Sequence, residues 1–130
     1  MKSHSVQKLA DKPVIIITLT NPTKTQHTQQ TLRQIDACRG AKTVYLIYDV
    51  TPLKMSSDEL STLICGVQAD LLAEGHEPLL RFMFVTSSRL AQQLTECEST
   101  HESDFAFFTS LDQALTYTAS KLISSNGTHH

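Results

Sequence analysis

The chain has 130 residues, 40% hydrophobic and 18% charged, with a net charge of −2 at pH 7; this suits one domain with one core and is ordinary for a soluble globular protein. No long run of one sign occurs, which removes the electrostatic footprint of a nucleic-acid binder and any polybasic patch for an anionic membrane. The longest apolar stretches are a few residues long, far short of the ~20 that span a bilayer, so no transmembrane segment is expected.

In chain order, Ser5 to Leu9 reads as an edge strand, followed by a turn at Ala10-Asp11-Lys12. The β-branched run from Val14 to Leu19 reads as a buried central strand, with Pro13 at its start, where a missing N–H is tolerated. Asn21-Pro22 ends that run. From Thr25 to Arg39 the residues Thr28, Leu32, Ile35 and Cys38 share one helical face, and Gly40 is the stop. Thr43 to Asp49 is a second central strand. Ser56 opens the next helix: Ser56 and Glu59 fit the S-x-x-E capping box, and Leu60, Leu63, Ile64, Val67 and Leu71 form one apolar stripe as far as Gly75. Leu79 to Val85 is a third central strand, and Ser87-Ser88 begins a short helix with Leu90, Leu94 and Cys97 inward. Phe105 to Phe108 is the last strand. Ser110 and Gln113 make a second capping box before Leu111, Ala114, Leu115, Thr118 and Leu122. The order β-β-α-β-α-β-α-β-α implies right-handed crossovers and a mixed, mostly parallel sheet of about five strands with four helices. Residues 1–123 form one domain and 124–130 a disordered tail.

Parallel sheets place ligands beyond the carboxyl ends of their strands, so the strand-to-helix loops are where chemistry is sought. The first such loop, TLTNPTKTQHT, holds none of the chain's four glycines, and the chain has no tryptophan. Without glycine the backbone cannot easily approach a phosphate, which argues against a flavin, a dinucleotide or a P-loop. Asp49 stands where a phosphoaspartate receiver carries its acceptor. The further carboxylates that hold Mg²⁺ in such a site are missing after the first central strand, which leads to Thr20-Asn21-Pro22. The six histidines have no ligand-like spacing, and no serine sits in a G-x-S-x-G elbow. No catalytic residue, metal site or cofactor is expected, and the chain reads as a non-enzyme. Cys38, Cys65 and Cys97 are widely spaced without a CxxC pair and read as buried, reduced thiols of a cytoplasmic protein. The opening MKSHSVQKLADKP has no apolar core region, so no signal peptide is expected.

From the second strand onward, the segments VYLIYDVTPLKMSSDELSTLI, LLRFMFVTSSRLAQQLTEC and FAFFTSLDQALTY resemble the STAS domain, the family of anti-sigma-factor antagonists and sulfate-transporter cytosolic domains. The likeness is of element order over about residues 5 to 123 and implies a SpoIIAA-like fold. It departs at the family's phosphoacceptor loop, which usually reads Asp-Ser-Ser-Gly. Here Met55-Ser56-Ser57-Asp58 has no preceding acid and no following glycine, and the loop from Asp49 is about two residues shorter.

The resemblance implies a regulatory protein-interaction module in anti-sigma-factor signalling, switched by phosphorylation at Ser56 or Ser57. Asp49, Thr51, Leu53, Lys54, Met55 and Asp58 would meet the partner, an anti-sigma kinase-like protein or another STAS-type protein. Read from the residues alone, a capping serine is worth about 0.5–2 kcal/mol, which accounts for Ser56 by itself. Ser57 is then the more exposed candidate. Asp49 has its own plain reading, as an acceptor for loop N–H groups. A second function class stays open: a small-molecule or lipid carrier of the SpoIIAA-like or Sec14-like type, whose apolar ligand needs a cavity of roughly 300 Å³ or more. The edge strand near residues 5 to 9 leaves a homodimer open as well.

Overall fold

The computed structural model describes residues 4–9, 12–19, 25–38, 40–53, 56–72, 79–98 and 105–127, with side chains for all of these except 4–5, 25–28, 72, 94–98, 105 and 123–127. Five strands and four helices follow one another as β1 (His4–Lys8), β2 (Val14–Leu19), α1 (Thr25–Asp36), β3 (Thr43–Asp49), α2 (Ser57–Leu72), β4 (Leu79–Val85), α3 (Ser88–Glu98), β5 (Phe105–Phe108) and α4 (Leu111–Gly127). The sheet keeps chain order, β1-β2-β3-β4-β5. β1 and β2 form an antiparallel hairpin, and β2 through β5 are parallel. β1 is the edge strand that the sequence suggests.

This order decides where the helices go. Each parallel connection steps to the next strand in the same direction, and a uniform right hand then puts every crossover helix on one face. Helix α1 packs on β1 and β2, and α2 lies between α1 and α3. Helix α4 follows the last strand and packs on β3, β4 and β5. Side chains alternate across the pleat accordingly. Ile15, Ile17, Leu19, Val44, Leu46, Tyr48, Leu80, Phe82 and Phe84 join the core under α1, α2 and α3, while Val14, Tyr45, Ile47, Met83 and Val85 join Ala114 under α4. Because both faces are covered there, β3 and β4 read as nearly continuous apolar runs.

Helix α2 buries the stripe expected of it, with Leu60, Leu63, Ile64, Val67 and Leu71 all in the core. Each such side chain contributes about 1.5–3 kcal/mol on leaving water. A row of rings crosses the same face: Tyr48 stacks on Phe84 at 5.4 Å, and Phe84 meets Phe107 at 5.9 Å. The buried Tyr48 hydroxyl lies near the side chain of Thr31, itself fully buried on α1. Burial pushes the Tyr48 phenol far above its ordinary range; the Thr31 bond opposes the rise and nearby Asp70 adds to it.

Three expectations need correction. Helix α1 closes at Asp36, not Arg39. The chain tightens there, with Cys38 N–H donating to the Ile35 carbonyl at 3.0 Å. A separate turn then closes from Ala41 N–H to the Cys38 carbonyl at 3.1 Å, and Gly40 holds its third position with φ of +91°. That conformation favours glycine, so Gly40 belongs to the turn rather than to the helix end. The cysteines are not all buried thiols: Cys38 is buried but Cys65 is exposed. Cys65 lies away from the apolar stripe of α2, so its apolar sequence neighbours are on other faces. Burial pushes the Cys38 thiol up, with Lys8 opposing. The expected disordered tail does not hold for residues 124–127, which continue α4. No proline or earlier glycine interrupts that helix. Gly75, the Cys97 side chain, all six histidine side chains and residues 128–130 lie outside what is described.

Candidate functional site at the carboxyl rim

The parallel strands β3, β4 and β5 finish level. Val50 N–H donates to the Val85 carbonyl and Thr86 N–H to the Phe108 carbonyl, both at 3.0 Å, which carries the ladder past the strand ends. Three helices start from this rim, and each start is capped by a serine. Ser56 and Glu59 form the full capping box: Glu59 N–H donates to Ser56 Oγ at 3.2 Å, and Ser56 N–H donates to Glu59 Oε1 at 3.0 Å. Ser87 Oγ accepts from Leu90 N–H at 3.3 Å at the start of α3. Ser110 Oγ accepts from Gln113 N–H at 3.2 Å at the start of α4. The second predicted box is altered in its other arm. Gln113 Oε1 accepts from Thr109, through its N–H at 3.1 Å and its hydroxyl at 2.8 Å. Thr109 is one residue outside the S-x-x-Q pattern, and only its position after a strand end signals it.

The β3–α2 loop is pinned at both ends. Asp49 Oδ1 accepts from Thr51 N–H at 3.1 Å and from the Thr51 hydroxyl at 2.6 Å, the short-range acceptor role that its position suggests. Leu53 N–H donates to the Val50 carbonyl at 2.9 Å, and the Leu53 side chain packs on the core. Leu53 is therefore half-buried and less available to a partner than the sequence implies. Thr51, Pro52, Ser56 and Asp58 are exposed, and Asp49 is half-buried. Lys54 and Met55 lie outside the described residues.

The two serines exchange rank. Ser56 is exposed and Ser57 is half-buried. The cap accepts a hydrogen bond without leaving the surface, whereas Ser57 is the first residue of the helix and turns partly inward. The first turn of α2 carries Asp58 and Glu59, favourable beside the positive end of a helix. Among the described residues of the three loops and first turns, Arg89 is the cation, exposed at the start of α3. The described part of the rim is thus rich in hydroxyls, mildly acidic and preorganised by caps.

Among the described residues no three His, Cys, Asp or Glu side chains gather to hold a metal, and no helix is long and apolar enough to cross a membrane. At the opposite end of the sheet lies a cleft of about 290 Å³ between α4 and the start of β2. Its signal lies in the sheet order: three crossover helices on one face leave a single helix for the other. The chain matches no family model, no curated protein and no solved structure.

Proposed function

We propose that the protein is a non-enzymatic, STAS-like regulatory module that docks a protein partner through the rim at residues 49–58 and is switched at Ser56. The observation that carries this reading is the exposure of Thr51, Pro52, Ser56 and Asp58 beside hydrogen bonds that tie Thr51 to Asp49 and Ser56 to Glu59. Loop ends held before binding have less entropy to lose on association. The partner is a kinase-like ATPase of the anti-sigma type or a second STAS-type protein, and the setting is cytoplasmic signalling.

Phosphate on Ser56 adds about −1.5 to −2 charges where first-turn N–H groups and the helix dipole favour an anion. The fold tolerates it. A partner face already matched to Asp58 and Glu59 does not, because misplaced like charges cost several kcal/mol. Ser57 is the secondary acceptor, since its partial burial requires the first turn to open.

The test uses Ser56→Asp. Aspartate caps a helix about as well as serine, so this change adds charge without unfolding the start of α2. Tagged wild-type chain retains a kinase-like or STAS-type partner from native extract and Ser56→Asp loses it at unchanged melting temperature. Equal retention by both chains contradicts the switch. A carrier reading has the amino-end cleft in its favour.

A further inference from the structure

Strands lie ~4.8 Å apart and a helix is about 10 Å across, so one helix cannot cover five strands. Helix α4 lies over β3, β4 and β5, which leaves the flank over β1 and β2. The cleft of about 290 Å³ opens there, at the far end of the sheet from the serine rim. Leu9 and Val14 form its floor, and Leu115, Ala119 and Leu122 form the wall offered by α4. Thr118 also faces it, but its hydroxyl is committed to the Ala114 carbonyl at 2.8 Å and the Met83 sulfur at 3.3 Å. The mouth carries exposed Lys12 and exposed Thr116. Lys12 is the one charged group among the described lining residues.

We propose that this cleft binds an aliphatic carboxylate of medium chain length, its alkyl chain along α4 and its carboxylate at Lys12. The volume stands at the lower end of small-molecule pockets, about 300–1,000 Å³, which favours a small amphiphile over a protein segment. From Leu115 to Leu122 the helix axis advances about 10 Å, room for a short extended chain. The apolar floor and wall reward each methylene removed from water, and the Lys12 ammonium selects the sign of the head. This inference is independent of the rim reading, since no cleft residue belongs to residues 49–58.

The experiment titrates octanoate and decanoate, below their micelle concentrations, into the full chain and follows backbone amide resonances. Shifts are expected at Leu9, Val14, Leu115 and Ala119. Affinity is expected to rise about fourfold per methylene, the equivalent of about 0.8 kcal/mol. Lys12→Glu, an exposed change, should weaken decanoate at least tenfold and leave decanol unaffected. Ala119→Leu should fill the cleft and weaken both. The proposal is overturned by saturation at other residues, by equal affinity for the two chain lengths, by no effect of Lys12→Glu on decanoate, or by no binding at millimolar ligand.

Discussion

Ile15, Ile16 and Ile17 are three copies of one side chain on one strand, yet their surroundings differ. Ile15 and Ile17 point under the three crossover helices and are fully buried, while Ile16 points to the α4 face and is half-buried. Thr18, on the same side as Ile16, is half-buried too. Across the molecule the pattern repeats. The three-helix face holds Tyr48, Phe82 and Phe84 at 1% exposure or less, whereas the α4 face closes over β3, β4 and β5 and stays open at the hairpin. Burial here is set by the order of connections as much as by the greasiness of the strand. The first face builds stability and the second leaves surface to use.

That contrast can be broken most directly by truncating matched residues. Phe84→Ala should cost about 3–5 kcal/mol in urea unfolding, because the ring is fully buried between Tyr48 and Phe107. Ile17→Ala should cost about 2–5 kcal/mol, and Ile16→Ala about half as much. Equal losses at positions 16 and 17 would end the comparison. Tyr48→Phe should change stability by less than about 1 kcal/mol, because the buried hydroxyl it removes carries its own desolvation cost. It also sharpens a pH dependence. The folded-state pKa of Tyr48 is raised, so its contribution is intact below the unfolded value near 10 and is lost as pH climbs above it. The wild type should therefore lose stability above about pH 10 more steeply than Tyr48→Phe, read from melting temperatures at each pH.

The rim gives smaller effects on folding, as a displayed surface should. Ser56→Ala should cost about 1 kcal/mol and Ser56→Asp close to nothing, read as unfolding midpoints. Asp49→Ala removes the two bonds from Thr51 and should cost about 0.5–1 kcal/mol, with the change in amide exchange confined to the loop.

The sheet was legible where burial on both faces turned strands into apolar runs, as in VYLIY and LLRFMFV, and where serine caps marked helix starts. The exposure of Cys65 was legible as well, for it lies five residues past Leu60, about 140° round the helix from it. Cysteine's usual burial points the other way. Thr31 is the mirror case, a polar residue in phase with Ile35 and Cys38 that enters the core beside Tyr48. At the candidate site the caps could be read, but the exposure ranking of Ser56 and Ser57 depends on which way the first turn rolls. The cleft needed the sheet order, which no local pattern in the sequence specifies.

The rim's role is tested most directly by the affinity of a partner retained by the wild-type chain, measured against wild type and Ser56→Asp at matched melting temperature. The account predicts binding at least tenfold weaker for Ser56→Asp, the cost of a misplaced charge at a docking surface. Equal affinities, with both chains folded, would contradict it.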